Sequence, residues 1–282
     1  MLLAGCGGDT TNTEYVTTPA STYLVEYIPG MMPASEGKTE FKLRVMKRSD
    51  GSMAKGLNIS LIPTMFMNNG KSHSTPMDSI VDNSDGTYSC TLYYLMASET
   101  MMMGMPTSMG HWELQVKIGT ETATLYPYVK MAMSNNTAKG SLKGQADIIS
   151  TMTGTEKRGY YLFKDDVVTG VTSTFSLFIA AKESMTSFPA ISSGTVLTSP
   201  TGTWAVDPAT TTLLASTDLS TWVTGTDFGS GHWSIGGISG LSSGVTGTVY
   251  VQLTVNGELK TIDGLASNGS GTNTYATFAV TP

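Results

Sequence analysis

Charge is scarce in this chain. Only 13% of its 282 residues are Asp, Glu, Lys or Arg, about half the usual share. The net charge of −6 divides into ten basic and twelve acidic residues up to residue 139, and six basic and ten acidic after it. Neither half carries the basic surface that nucleic acid demands, so no polynucleotide partner is expected. Histidine is limited to three residues and cysteine to Cys6 and Cys90. No carboxylate pair, phosphate-cradling loop or dinucleotide fingerprint occurs. Gly240-Leu241-Ser242-Ser243-Gly244 has the spacing of a nucleophile elbow, but it lacks the strand-to-helix context that such an elbow needs. The chain is therefore not expected to be an enzyme. Long apolar runs are missing as well: none reaches the eighteen or so residues that a membrane-crossing helix requires.

What is present is a period of two. Phe41, Leu43 and Val45 alternate with Lys42 and Arg44. Tyr88, Cys90, Leu92, Tyr94 and Met96 alternate with Ser89, Thr91, Tyr93 and Leu95. Trp112, Leu114, Val116 and Ile118 alternate with His111, Glu113, Gln115 and Lys117. Such alternation marks strands with one buried face. Turn residues fall between them at Ser49-Asp50-Gly51, Asn83-Ser84-Asp85-Gly86 and Asn256-Gly257. With abundant Ser, Thr and Gly, the pattern predicts an all-β protein of two tandem immunoglobulin-like antiparallel β-sandwiches.

Two units are expected because segments echo each other in order. Residues 22–26 (TYLVE) are echoed by 160–164 (YYLFK), 39–45 (TEFKLRV) by 173–179 (STFSLFI), and Gly110-His111-Trp112 by Gly231-His232-Trp233. The expected organisation is an apolar start and polar tether over residues 1–19, a Met-rich sandwich over 20–133, a linker over 134–146 and a diverged second sandwich over 147–282. A Gly-His-Trp shared by both units reads most simply as framework, its Trp filling the core and its His bonding a neighbouring loop. Cys90 falls on a core face, where a thiol is inert.

The start, Met1-Leu-Leu-Ala-Gly-Cys6, resembles a bacterial lipobox, in which the Cys is lipidated and becomes the mature N-terminus. The five residues before it are too few for a full signal peptide, so a trimmed or late start is expected. The resemblance implies a lipid on Cys6 that anchors the protein to a membrane of the bacterial cell envelope. Gly7 after the Cys points to the outer membrane. A Cys6–Cys90 disulfide is the alternative, and a lipidated Cys6 excludes it.

Methionine is the informative excess. Fifteen of the eighteen lie between Met31 and Met133, and eight of these fall in two stretches that each contain a His. One is Met65-Phe-Met67-Asn-Asn-Gly-Lys-Ser-His73-Ser-Thr-Pro-Met77. The other is Met101-Met102-Met103-Gly-Met105-Pro-Thr-Ser-Met109-Gly-His111. Their Gly, Pro and Asn read as loop. Thioether is a soft, uncharged donor that together with imidazole selects Cu(I) over Zn(II) or Mg(II). The candidate metal ligands are thus Met65, Met67, His73, Met77, Met101, Met103, Met105, Met109 and His111, with copper as the expected cofactor. The competing reading makes the same methionines core filler or an apolar surface for an envelope protein partner, with no metal.

The first unit resembles the YtkA-like/FixH-like domains of bacterial envelope proteins over about residues 20–133. The resemblance is carried by Phe41-x-Leu43-x-Val45, Leu57-x-Ile59-x-Leu61 leading to Pro63-Thr-Met65, the loop with His73 and Pro76-Met77, Asp85-Gly86-Thr-Tyr88, and Met109-Gly110-His111-Trp112-Glu-Leu114. It implies that segments 63–77 and 99–111 approach the same end of one sandwich. This chain departs from the family's compact Met-Pro-x-Met-x-His arrangement, since five residues separate Met67 from His73.

Overall fold

In strand β2 (Gly37–Lys47) the inward positions Phe41, Leu43 and Val45 are buried, while Glu40 and Lys42 are exposed. The same two-residue rhythm builds both halves of the protein, and among the residues described by the computed structural model, 22–282, no helix occurs. The tether and Cys6 lie outside those residues. The first unit contains β1 (Tyr23–Pro29), β2, β3 (Ile59–Met67), β4 (Ser72–His73), β5 (Val81–Asp82), β6 (Thr87–Tyr94), β7 (Glu99–Met102), β8 (Met105–Ser108), β9 (Gly110–Ile118) and β10 (Glu121–Leu125). The sheet β1-β2-β6-β5 faces the sheet β10-β9-β3-β4, and β7 pairs with β8 alone. Trp112, Leu114, Tyr88, Leu43 and Met65 fill the space between the two sheets. Each such side chain contributes about 1.5–3 kcal/mol through its removal from water.

The second unit contains β11 (Lys139–Thr151), β12 (Gly154–Val168), β13 (Ser173–Ala181), β14 (Val196–Ser199), β15 (Gly202–Ala205), β16 (Thr212–Ser216), β17 (Val223–Thr224), β18 (Thr226–Gly229), β19 (His232–Ile238), β20 (Gly247–Val255), β21 (Glu258–Leu259) and β22 (Ala276–Val280). One sheet runs β11-β12-β13-β19-β18. The other runs β17-β16-β20, with β21 and β22 pairing β20. The fold is therefore all-β, two tandem immunoglobulin-like sandwiches with separate cores.

Three expectations change in detail. Only residues 134–138 of the expected 134–146 linker are free of regular structure, because β11 begins at Lys139 and pairs with β12. Gly140 and Gly144 read as turn residues, yet Leu142 is buried and the waiting edge of β12 draws the segment into the sheet, a tertiary override of local preference. The third sequence echo also joins strands in different places. Placing β12 against β1 and β13 against β2 makes the strand orders match, and β19 then takes the place of β6, not of β9. The two Gly-His-Trp segments are alike because each opens a strand whose Trp enters a core.

The third difference is the junction. Tyr93, expected to face outward, is fully buried. It lies flat on Phe178 of β13, with ring centroids 3.9 Å apart, and beside Phe163 of β12 at 5.4 Å. These side chains and Ala180 form a third apolar cluster that joins the sandwiches. Polar ties surround it. Lys38 pairs with Asp165 at 2.7 Å, and His232 Nε2 lies 2.9 Å from Asp78. The expected loop bond of His232 is thus made across the junction.

Candidate metal-binding end of the first sandwich

Two crossovers close one end of the first sandwich, and the candidate donors lie on them. The chain leaves β3, turns through Asn68–Lys71, forms the short β4 and crosses to run beside β6, where Met77 bridges Leu92. It returns from β6 through Leu95–Ser98, extends as the β7–β8 hairpin and enters β9. The two crossovers are stitched together. Asn68 N–H donates to the Met109 carbonyl (3.0 Å), Asn68 Nδ2 to the Ser108 carbonyl (2.8 Å), and Met109 N–H to the Ser98 carbonyl (2.9 Å). Segments 63–77 and 99–111 therefore meet.

Register sorts the donors between the two faces of the sheet. Met65 lies opposite Trp112 on one side and His73 on the other, so the three side chains share the inner face. Met65 is 0% exposed and His73 8%. Met67 and Met109 pack, half-buried, against the same core, and so does Met96. Gly110 sits opposite Met67, where an added Cβ would come within 2.0 Å of the Phe66 carbonyl oxygen. Only glycine allows β3 and β9 to approach so closely there.

Within this group His73 Nε2 lies 3.1 Å from Met96 Sδ. His73 Nδ1 lies 2.7 Å from the Ser74 carbonyl oxygen, which can only accept, so Nδ1 carries the proton and Nε2 the lone pair. Burial, reinforced by the nearby Lys182, pushes the imidazole pKa below its ordinary 6.5 despite the bond to Ser74, which favours the neutral ring. A nitrogen lone pair thus faces a thioether sulfur with no proton between them. The Trp112 ring meets His73 edge-on at 5.5 Å, and its Nε1–H donates to the Met96 carbonyl at 3.1 Å. This fixes the backbone that carries the sulfur. The donor set suits a soft monovalent ion and lacks the carboxylates that harder ions use.

The second sandwich steadies this end. Ser74 N–H donates to the Met185 carbonyl at 2.7 Å, and Ser74 Oγ to the Pro63 carbonyl at 2.7 Å. These bonds fix Ser74, whose carbonyl accepts from Nδ1 of His73.

Other sequence-predicted ligands fall elsewhere. His111 faces outward, exposed and stacked on Phe66 at 5.4 Å, on the opposite face of the sheet from His73. Met101, Met103 and Met105 are exposed on the hairpin, and Met77 is 38% exposed beside β6. Met96 was not among the expected ligands. Its place in the alternation Tyr88-Cys90-Leu92-Tyr94-Met96 puts it on the core face, and that was the available signal. The exposed Met31, Met32, Met131 and Met133 also lay outside the expected set; Met32, Met131 and Met133 line a cleft of about 380 Å³ near the junction, with Lys38 and Asp165.

Cys90 is buried and free, its thiol pKa pushed up to about 12 by burial. Among the described residues, no group of three or more His, Cys, Asp or Glu converges. No protein-family model matches the chain, and no curated protein sequence matches it.

Proposed function

We propose that this protein binds a soft monovalent metal ion, Cu(I) foremost, at the closed end of its first sandwich, for capture, buffering or delivery in the bacterial envelope. The observation that carries the reading is the Nε2 lone pair of His73 set 3.1 Å from Met96 Sδ, with the proton committed to Nδ1. Two electron-rich atoms held together in a mostly apolar wall are a pair that a soft cation stabilises. Met65, Met67 and Met109 supply further thioethers in the same wall. The resemblance to YtkA-like/FixH-like envelope domains and the lipobox-like Cys6 favour a lipid-anchored protein at the outer membrane. No step of chemistry on the ion is invoked, and the reading is not enzymatic.

The test is an anaerobic Cu(I) titration of the chain against a chromogenic chelator, with Cys6→Ser to remove a competing thiol and with Zn(II) as control. Cu(I) uptake that falls in His73→Ala and in Met96→Leu supports the site. Unchanged uptake in both variants removes it. The second reading, a metal-free apolar surface for an envelope partner, draws on the exposure of Met101, Met102, Met103 and Met105. It gains if the parent protein fails to compete for Cu(I).

A further inference from the structure

The β7–β8 hairpin is built in a way that folding alone does not require. Among the described residues its strands pair only with each other, in the register Glu99 to Ser108, Thr100 to Thr107, Met101 to Pro106 and Met102 to Met105. A lone two-stranded hairpin is marginally stable in water. Its two-residue loop is Met103-Gly104, with φ of 52° and 80°, the backbone of a type I′ turn. That turn favours Asn at its first position, and an apolar residue in the left-handed region costs about 1–2 kcal/mol. Met103 is fully exposed there, and Met101, Met102 and Met105 are each at least half exposed. Turn chemistry and packing both argue against four methionines at this place.

Their sulfurs supply the missing reason. Met102 and Met105 are direct cross-strand partners, so their side chains leave the same face with Cβ atoms about 5 Å apart. Each thioether swings on a flexible, unbranched chain, so two sulfurs can close on one ion, with Met103 beside them at the turn. Met102 lies three residues beyond Glu99, about 10 Å along an extended strand, which separates this group from Met96 and His73. We propose that the hairpin is a second soft-metal site, exposed and made of thioethers alone, taking Cu(I) or Ag(I) through Met102 and Met105 with Met103 at the turn as a further donor. It extends the soft-metal reading of the buried end and uses none of that end's residues. Thioethers do not take up protons at mildly acidic pH, so the hairpin keeps its ion where an imidazole would begin to lose one.

The experiment is an Ag(I) titration followed by native mass spectrometry, on the full chain carrying Cys6→Ser, at neutral pH and about two pH units lower. Two double variants are compared with it: Met102→Leu with Met105→Leu, and His73→Ala with Met96→Leu. The exposed hairpin substitutions keep hydrophobic bulk, and an unchanged melting temperature confirms that the fold is intact. The expected result is that the hairpin variant takes up one ion fewer than the parent at both pH values. An undiminished ion count in the hairpin variant overturns the proposal, whatever the buried-end variant does. A count that falls only in the hairpin variant upholds the proposal and removes the buried site instead.

Discussion

Met96→Leu isolates the contact on which the buried site rests. Leu and Met are close in volume, so the substitution costs less than about 1.5 kcal/mol of stability, while the sulfur 3.1 Å from His73 Nε2 disappears. Loss of a partner that merely orients a metal ligand already weakens binding about 10–100-fold; loss of a donor is expected to cost about 100-fold or more. The effect on melting follows by linkage. An ion present at about a thousand times its Kd stabilises the folded state by about 4.1 kcal/mol, and a site 100-fold weaker at the same concentration gives about 1.4 kcal/mol. A cooperative unit of this size melts about 2–4 °C higher per kcal/mol. The buried site's share of the Ag(I)-induced rise therefore drops from roughly 8–16 °C to roughly 3–6 °C. The assay is calorimetric melting in chloride-free buffer, with each variant referred to its own metal-free form, so that the small packing cost cancels. An Ag(I)-induced rise as large in Met96→Leu as in the parent refutes the argument that this sulfur and imidazole share an ion.

The same geometry fixes a pH dependence, since a proton competes with the ion only for the free imidazole. Burial depresses the His73 pKa below 6.5, so Ag(I) affinity at the buried site is expected to stay flat as pH falls through 6.5, then decline about tenfold per unit below the depressed pKa. A decline that sets in above pH 6.5 contradicts this. For the metal-free protein the sign runs the same way: the stability contributed by the neutral imidazole is complete above 6.5 and is lost as pH falls through the folded-state pKa, which denaturant midpoints across that window check. Tyr93→Ala removes a fully buried ring from between the sandwiches and is expected to cost about 3–5 kcal/mol. Because that cluster is separate from both cores, calorimetry should show the two sandwiches melting apart, and an unchanged single transition would count against a docked pair. Cys90, with its thiol pushed up to about 12, should resist a thiol-labelling reagent in the native protein and react once denaturant unfolds it; rapid native labelling would place it outside the core.

Much of the fold could be read from one-dimensional pattern, because each sandwich strand has one wet face and one dry face. Phe41, Leu43 and Val45 and then Trp112, Leu114, Val116 and Ile118 fall on the inner faces as their alternation requires. The pattern fails where the outer face is also covered. Tyr93 in β6 and Phe178 and Ala180 in β13 stand at outward positions and are buried all the same. Their apolar character was visible as a breach of the period, but a single breach does not name the surface that covers it. Lys139–Gly144 escaped for the opposite reason: its residues carry turn preferences, and the edge of β12 that overrides them is distant in sequence.

The candidate site was legible in its chemistry and illegible in its depth. Thioethers and imidazoles clustered in two segments, and those segments do meet. Which donors turn inward depends on strand parity beyond the tight turn after Met67, and one residue more or less there would reverse it. With the observed register His73 lies opposite Met65 and enters the interior, while His111, opposite Phe66, faces water. The exposed hairpin and the buried pair then become two places with different demands. On the hairpin, flexible neutral sulfurs suffice. At the buried end a lone pair must be aimed, and the aim passes from the Met185 carbonyl to Ser74 N–H, and from the Ser74 carbonyl to Nδ1 of His73. A sandwich whose own two methionines are both exposed thus touches the candidate metal-binding end through its backbone. Loosening the junction at Tyr93 should therefore weaken ion binding at His73 and leave the hairpin unaffected.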